Sequence, residues 1–268
     1  MSNTIVRASG TGHSCMHIDW FELQPYVGDY NDWATINGAY FIGQGLGGYP
    51  SLASWQSATA QDAHSMNREP ELTTDGHLKS RAGTWSNGTW VVCPTNSPCI
   101  DRGNPASAFG NEPAPNGGRV NIGAFGNTAQ ASKTADYDGD GLSDNGECFD
   151  YFTNPDKADS DGDGYGDFSE LVAGTSATNI ASFFDMNGLP ATNRNGFSMT
   201  WYGNVGRTYQ PQWRTNLVSG VWSNCTGLVN PAGQAIASLA GTNGWVTAVD
   251  TNTAGKALRF YRIKVIRP

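Results

Sequence analysis

The sequence predicts an all-β protein assembled from several modules. Of its 268 residues, 34 are glycine and 13 are proline, and such a composition produces many turns. Short stretches alternate between apolar and polar residues, and no long segment has the apolar periodicity of a helix. The length allows two or three modules. We predict three, at residues 1–133, 134–180 and 181–268.

The first module has short β-prone stretches at residues 4–6, 90–92 and 120–122, separated by glycine, asparagine and proline turns. Five motifs follow one another along it: GLGGYPSLASWQ at 45–56, QDAHS at 61–65, HLKS at 77–80, SPCIDRG at 97–103 and NGGRVNIGAFG at 116–126. This series resembles the terminal coils of secreted bacterial right-handed parallel β-helix proteins of the choice-of-anchor Q type. The resemblance covers roughly residues 40–130.

The resemblance implies that residues 1–133 form the terminal coils of a parallel β-helix. At roughly 20–30 residues per coil, the module holds about five turns. Each coil depends on its neighbours for burial. The first coil would therefore be an uncapped solenoid end through which the protein can associate with itself.

The same module contains residues with acid, base and cation chemistry. Polysaccharide lyases and hydrolases with the fold that the resemblance implies place Asp pairs, Lys or Arg on an exposed strand face. Glycoside hydrolysis needs two carboxylates ~5–9.5 Å apart, and no sequence spacing demonstrates that separation. We therefore assign no catalytic residue and expect structural roles for the candidates, which are Asp62, His64, His77, Lys79, Arg81 and Asp101.

Two further patterns in the sequence leave alternatives open. His13, Cys15 and His17 would share one face of a strand, either as three ligands of zinc or copper or as an inward-facing row of the solenoid. The chain has five cysteines. Of these, Cys93 and Cys99 either close a small disulfide loop or are two buried thiols.

The second module contains two copies of one acidic phrase, DYDGDGLSDNGE at 136–147 and DSDGDGYGDFSE at 159–170, which begin 23 residues apart. A calcium ion takes six to eight oxygens, and a twelve-residue loop supplies them from positions 1, 3, 5, 7, 9 and 12 with glycine at position 6. Both copies match at every position. Magnesium fits less well because it demands a tight octahedron.

The two phrases therefore predict two Ca²⁺ ions. The predicted ligands of the first ion are Asp136, Asp138, Asp140, the Leu142 carbonyl, Asp144 and Glu147. The predicted ligands of the second are Asp159, Asp161, Asp163, the Tyr165 carbonyl, Asp167 and Glu170.

The negative charge of the protein is local. Residues 136–170 carry a net charge of −11, whereas the rest of the chain carries +3. A nucleic-acid partner needs a basic stripe, which is absent, so we predict none. The alternative interpretation of the segment is an acidic, disordered tail. A tail does not require the glycines, apolar residues and twelfth-position glutamate that recur in both copies.

The loops differ from EF-hands. An EF-hand has an amphipathic helix entering its loop, but no such pattern precedes Asp136, and Pro155 precedes Asp159. We expect only a short helical turn leaving each loop. The phrases resemble thrombospondin type 3 calcium repeats, whose Gly-Thr-Asp-Pro ending falls roughly at residues 153–155 and 174–176. A dockerin pair is the alternative, although dockerins typically have Asp at the position that Glu147 and Glu170 occupy.

The third module alternates apolar and polar residues at 197–201, 209–213, 244–249 and 260–265, which predicts a small antiparallel β-sandwich. In its Trp strand, Gly-x-x-Tyr strand and final Phe-Tyr-Arg strand it resembles the C-terminal sandwich modules of secreted bacterial carbohydrate-associated proteins. Its tryptophans either stack on sugar rings or fill the core, and the small size of the module favours the core. They are Trp201, Trp213, Trp222 and Trp245.

No apolar run approaches the ~20 residues of a membrane span, and the first residues do not have the pattern of a signal peptide. Extracellular calcium loops often bind at ~10⁻⁴–10⁻³ M, so we expect an extracellular or cell-surface protein whose signal peptide lies upstream. The expected function is structural: two calcium ions rigidify the linker between a β-helix and a β-sandwich, with a polysaccharide or cell-surface glycan as partner. The alternatives are a polysaccharide lyase or glycoside hydrolase, and a dockerin-like interaction module.

Overall fold

The computed structural model describes residues 1–16, 26–42, 49–190, 196–236, 239–252 and 259–267. The described chain is rich in strands and has few, short helices, so the predicted all-β class is confirmed at that level. Its residue contacts divide it into two compact units, Met1–Asp156 and Lys157–Pro268. The division falls between the two acidic loops.

The first unit begins with parallel strand pairs. Strands β1 (Ile5–Ser9) and β3 (Asp32–Ile36) pair in parallel, as do β2 (Ser14–Met16) and β4 (Tyr40–Ile42). An isolated parallel bridge joins Asp32 to Met66. The same strand position therefore repeats along the chain, with Ile5 beside Asp32 and Asp32 beside Met66.

Helix α1 (Leu52–Thr59) follows within the first unit. It begins with a capping box in which the Ser51 hydroxyl accepts the backbone N–H of Ser54. Farther along, β5 (Thr84–Ser86) and β6 (Thr89–Val91) form an antiparallel hairpin. Its two-residue turn, Asn87-Gly88, has positive φ at both positions, which is what an Asn-Gly hairpin turn requires.

The core of the first unit consists of two clusters of buried apolar side chains. The cluster near α1 contains Trp33, Phe41, Leu52 and Trp55. The second contains Leu78, Cys99, Ile100 and Ile122. Burying these large side chains supplies the main favourable free energy of folding.

Short helical turns leave both acidic loops, as the sequence predicts. The first loop is followed by α2 (Asp144–Gly146), which a π-helical turn continues at Glu147–Tyr151. The second is followed by α3 (Asp167–Ala173). Among the described residues before Asp136, α1 is the only helix, and it ends far upstream of the loop.

The second unit contains two antiparallel sheets. One has the order β11 (Leu228–Val229), β12 (Gly244–Asp250), β8 (Phe197–Gly203), β7 (Met186–Pro190), and the other has β10 (Ser223–Asn224), β9 (Thr208–Arg214), β13 (Phe260–Ile266). Alternation places Met199 and Trp201 of β8 in the core, whereas their neighbour Tyr202 is exposed.

The tryptophans of this unit have different surroundings. Trp201 is fully buried, whereas Trp245 is 68% exposed. Trp213 lies under the guanidinium of Arg259, and Trp222 lies under those of Arg214 and Arg262. They therefore do not form one exposed sugar-stacking face. Trp201 has the core position that the sequence favours, whereas for Trp245 that expectation is wrong, because alternation along β12 turns its side chain to solvent.

All five cysteines are free thiols. Cys93 contacts the hydroxyl of Thr84, and the thiol of Cys99 donates to the Asp32 carboxylate. The small disulfide loop considered for Cys93 and Cys99 is therefore not formed. No helix in the described part of the chain is long and apolar enough to cross a membrane.

Candidate metal centre

The two acidic loops fold with the same hydrogen bonds. In the first, the position-1 carboxylate of Asp136 accepts the backbone N–H groups of Gly139 and Gly141, at 2.8 and 3.2 Å. In the second, Asp159 accepts those of Gly162 and Gly164, at 2.8 and 2.9 Å. The position-6 glycines have φ of 101° and 95°, a conformation that side chains other than glycine rarely adopt. The spacing therefore encodes each turn locally.

At positions 3 and 5 of each loop, the aspartate carboxylate accepts the backbone N–H group of the residue two positions later. Asp161 accepts the N–H of Asp163 at 3.1 Å, and Asp163 accepts that of Tyr165 at 2.8 Å. The corresponding distances in the first loop are 3.2 and 2.7 Å. These turns direct three carboxylates inward in each loop.

The result is two clusters of carboxylate oxygens. One oxygen from each member of a cluster lies within 4.8 Å of the others, and in the described part of the chain the two such groupings of His, Cys, Asp or Glu are Asp136, Asp138 and Asp140, and Asp159, Asp161 and Asp163. Carboxylates this close repel one another unless a cation or protons intervene.

The position-12 glutamates complete the clusters from the exiting helical turns. Glu147 is fully buried and Glu170 is 1% exposed. One oxygen of each accepts a hydroxyl, from Thr153 at 3.2 Å and from Thr175 at 3.1 Å. The other oxygen of each is buried and accepts no hydrogen bond. Buried carboxylate oxygens normally have a partner, so these two require one.

The second cluster has two more such atoms. One oxygen of Asp161 and one of Asp163 are buried without a hydrogen bond. The charges of both contribute to raising the pKa of the Glu170 carboxyl. A group of buried carboxylate oxygens without hydrogen bonds fits a hard cation with a preference for oxygen ligands.

The position-9 aspartates stabilise the loops by accepting hydrogen bonds from within them. Asp167 is fully buried and accepts both the N–H and the hydroxyl of Ser160. Asp144 accepts the N–H of Tyr137, and its second oxygen accepts the side chains of Asn96 and Arg81. Their predicted role as ligands stays a prediction, and position 9 often acts through a water molecule.

Burial perturbs the two glutamates strongly. It raises the pKa of the Glu147 carboxyl to about 8, and the charges of Asp138 and Asp140 add to the effect. It raises the pKa of Glu170 to about 7, with contributions from Asp163 and Asp161. Below about pH 7 both carboxyl groups of the metal-free chain are therefore largely protonated, and they would release those protons on binding a cation.

We expect the metal-free protein to lose stability as pH rises. Glutamate in the unfolded chain has a pKa of about 4.3, so the folded, metal-free state binds more protons between about pH 4.3 and 8. The free energy of unfolding then falls as pH rises through that window. Urea unfolding of resin-stripped protein at pH 5 and pH 8 measures this. The double variant Glu147→Gln, Glu170→Gln should have a flatter profile, and a rise in stability towards pH 8 would contradict the expectation.

The first loop is fixed to the first unit by side chains that the sequence did not single out. The Asn145 amide donates to the carbonyls of Ser97 and Ile100, at 2.8 and 3.1 Å. Arg102 donates to the Asn145 carbonyl at 2.8 Å, and Arg81 lies over the Tyr137 ring at 3.6 Å. No sequence motif predicts these contacts, because they join residues more than forty positions apart.

The second loop is fixed in the same way to the strands of the second unit. The Arg207 guanidinium donates to the carbonyls of Leu171 and Val172, at 3.0 and 2.7 Å, at the end of α3. Asn204 donates to the Ala173 carbonyl at 3.1 Å. These donors satisfy carbonyls that a helix end leaves without partners. Each loop is thus an integral part of its own unit.

The residues weighed for catalysis are not gathered into one site. Asp62 is buried and accepts hydrogen bonds from the side chains of Tyr26, Asn31, Trp33, Trp55 and Ser65. His77 is buried against the Phe125 ring, Lys79 pairs with Glu71, and Asp101 accepts the Thr134 hydroxyl. Each of these contacts joins the side chain to neighbouring parts of the first unit, and the structural role expected for these residues stays a prediction.

The His13, Cys15 and His17 row is described only in part. His13 is exposed, and the Cys15 thiol points to the carbonyls of Val6 and Ala34 between β1 and β3. His17 lies outside the described residues. The metal-binding alternative for this row stays a prediction.

Comparison with known proteins assigns the chain to no family. No known protein family matches the chain, and no curated protein matches it. A solved structure described as the BSP domain of a biofilm-associated protein aligns with 53% of this chain and 22% of its own, at 17% identity and a TM-score of 0.23. A likeness this low carries no argument about fold or function.

Proposed function

We propose that this is a calcium-binding structural protein in which two Ca²⁺ ions hold the two acidic loops. One observation carries the proposal. In each loop a position-12 glutamate is buried beside three clustered aspartates, with one oxygen that accepts no hydrogen bond. Calcium would supply the missing partner for that oxygen and neutralise the repulsion. The donor set of carboxylates and backbone carbonyls is the one that calcium prefers.

The position of the loops supports a stiffening role. The division between the two units falls after Asp156, between the loops. Each loop is anchored to its own unit, the first by Asn145 and Arg102 and the second by Arg207. The segment between the loops, residues 148–158, begins in the π-helical turn and is tied to the first unit by the ion pairs of Arg102 with Asp150 and of Arg81 with Asp156. That segment would then act as a spacer rather than a flexible chain.

Within this proposal, residues 1–133 form terminal coils of a parallel β-helix and residues 181–268 form a β-sandwich. The parallel pairing of β1 with β3 and of β2 with β4 supports terminal coils of a right-handed parallel β-helix. The two antiparallel sheets around Trp201 support a β-sandwich. The loops resemble thrombospondin type 3 repeats, and a dockerin-like pair is the alternative. We further propose an extracellular or cell-surface location, because extracellular free calcium suits loops of this kind.

Calcium removal is the direct test. Calorimetric titration of stripped protein should detect two binding events. At a calcium concentration about 100 times the dissociation constant, each site would add ~2.7 kcal/mol of stability. For a chain of this size that corresponds to a rise in melting temperature of roughly 5–10 °C per site. Chelation should also open residues 150–159 to protease.

Magnesium at the same concentration is the matched control, and it should reproduce little of the stabilisation. Calcium-dependent capture of a partner protein would favour the dockerin-like alternative instead. Titration without uptake of calcium, together with identical cleavage in chelator and in calcium, would refute the proposal.

A further inference from the structure

The first unit contains a cavity of about 270 Å³ that the calcium loops do not explain. Its walls include three arginines, a histidine and two aromatic rings: Arg68, Arg102, Arg119, His64, Tyr30 and Phe149. We propose that this cavity binds a compact ligand carrying an oxyanion, a carboxylate or a phosphate on a body the size of one sugar unit. The cavity borders the first acidic loop, because Phe149 lies on the helical turn that begins at Glu147, but the proposal does not require that calcium is bound.

The charges of the cavity carry the inference. Arg102 pairs with Asp150 at 2.7 Å, and His64 pairs with Asp29 at 2.7 Å. Arg119 donates to two backbone carbonyls, those of Gly103 and Arg102. The charges of Asp101 and Asp150 act on Arg119, and Arg68 acts on the buried carboxylate of Asp32, but in the described part of the chain neither arginine forms a direct ion pair.

Without a ligand, the charges of Arg68 and Arg119 are compensated only by carboxylates that do not pair with them directly. Burial, together with the nearby charge of Arg102, lowers the pKa of Arg119. Arginine nevertheless stays protonated at any ordinary pH. An anion in the cavity would relieve the repulsion between Arg102 and Arg119, because opposite charges a few ångströms apart favour one another strongly in a partly buried site.

The aromatic walls leave the donors of Arg68 available. Its guanidinium lies over the Phe149 ring, 4.4 Å from the ring centre. Stacking uses the face of the guanidinium and leaves the N–H groups at its edge directed outward. Those edge donors match the two oxygens of a carboxylate or phosphate.

The size of the cavity limits the ligand. Pockets that enclose drug-sized molecules are about 300–1,000 Å³, so this cavity suits a single small unit. Its second aromatic wall is formed by Tyr30 and His64, which stack with ring centres 4.8 Å apart. Arginines lie over the Phe149 ring and His64 stacks on Tyr30, so the aromatic surface that remains beside the charged donors suits only a compact body that bears one acidic group.

Calorimetry on the full chain, once in calcium and once in chelator, tests the proposal, with glucuronate as the carboxylate probe, glucose 6-phosphate as the phosphate probe and glucose as the uncharged control. We expect saturable binding of at least one anionic probe and none of glucose. Which probe binds identifies whether the group is a carboxylate or a phosphate. Arg68→Gln should weaken binding about tenfold, the effect of losing a charge-assisted pair of hydrogen bonds.

The matched control is Arg7→Gln, which removes another exposed guanidinium charge, one that pairs with Glu69 outside the cavity. It should leave binding unchanged. Because Arg68 is exposed and its guanidinium lies over the Phe149 ring, its replacement should leave the fold intact. Absence of saturable binding by both anions, equal binding of glucose, or equal affinities of Arg68→Gln and the unaltered chain would each overturn the proposal.

Discussion

Replacing Glu147 by Gln should remove one of two calcium-binding events and leave the other. The first loop would lose a charged ligand from its most buried position, where one oxygen has no other partner. Changes in residues that merely orient metal ligands weaken affinity 10–100-fold, so loss of a ligand should weaken it roughly a hundredfold or more. Glu170→Gln should remove the other event. Calorimetric titration of the two variants and their double variant measures this.

Because each loop is anchored to its own unit, the two variants should also differ in what they destabilise. In calcium, Glu147→Gln should increase hydrogen exchange within residues 1–156, and Glu170→Gln within residues 157–268. Glu69→Gln, which removes an exposed carboxylate outside the loops, is the control and should retain both binding events. If either single variant abolished both events, the loops would not be independent sites.

Replacing Asp62 by Ala should destabilise the first unit by at least ~3 kcal/mol. Its carboxylate accepts hydrogen bonds from five side chains, including the indole N–H groups of Trp33 and Trp55 at 3.0 and 3.1 Å. Each buried donor left without a partner costs about 1–3 kcal/mol. Removing the carboxylate would also leave a void beside the buried side chain of Trp55 in α1. Urea unfolding measures the change.

Asp62→Asn tests the reason for that loss. The amide keeps one acceptor oxygen but turns an NH₂ group towards donors, so its cost should be smaller but still measurable. Asp185→Ala, at an exposed position of the second unit, is the control and should change stability by less than about 0.5 kcal/mol. If Asp62→Ala kept full stability, the structural assignment would fail and the enzymatic alternative for this residue would gain support.

Sequence spacing anticipated the local features. The prediction of a short helical turn after each loop is confirmed by α2 and α3. Glycines at position 6 have the positive φ that the turn requires. Such features depend on residues within about a dozen positions of one another. The alternation that placed Met199 and Trp201 inside the second unit is local in the same sense.

What the sequence could not provide is the set of contacts between distant segments. The structure buries Glu147 and Glu170, and it pairs them with Thr153 and Thr175. It also makes Asp62 the acceptor of five side chains, which no motif indicates. Burial depends on which segments pack together, and packing is decided by the whole core rather than by any one stretch.

The sequence by itself determined the all-β class, the two twelve-residue loops and the oxygens available in each, because spacing along the chain fixes a turn that closes on itself. Only the tertiary structure decided that the loops belong to different units and that Arg68, Arg102 and Arg119 meet in one cavity. Those side chains are brought together by backbone pairing and apolar burial elsewhere in the chain. In the unfolded chain, the repulsion between their charges and the entropy of the intervening residues oppose such a meeting.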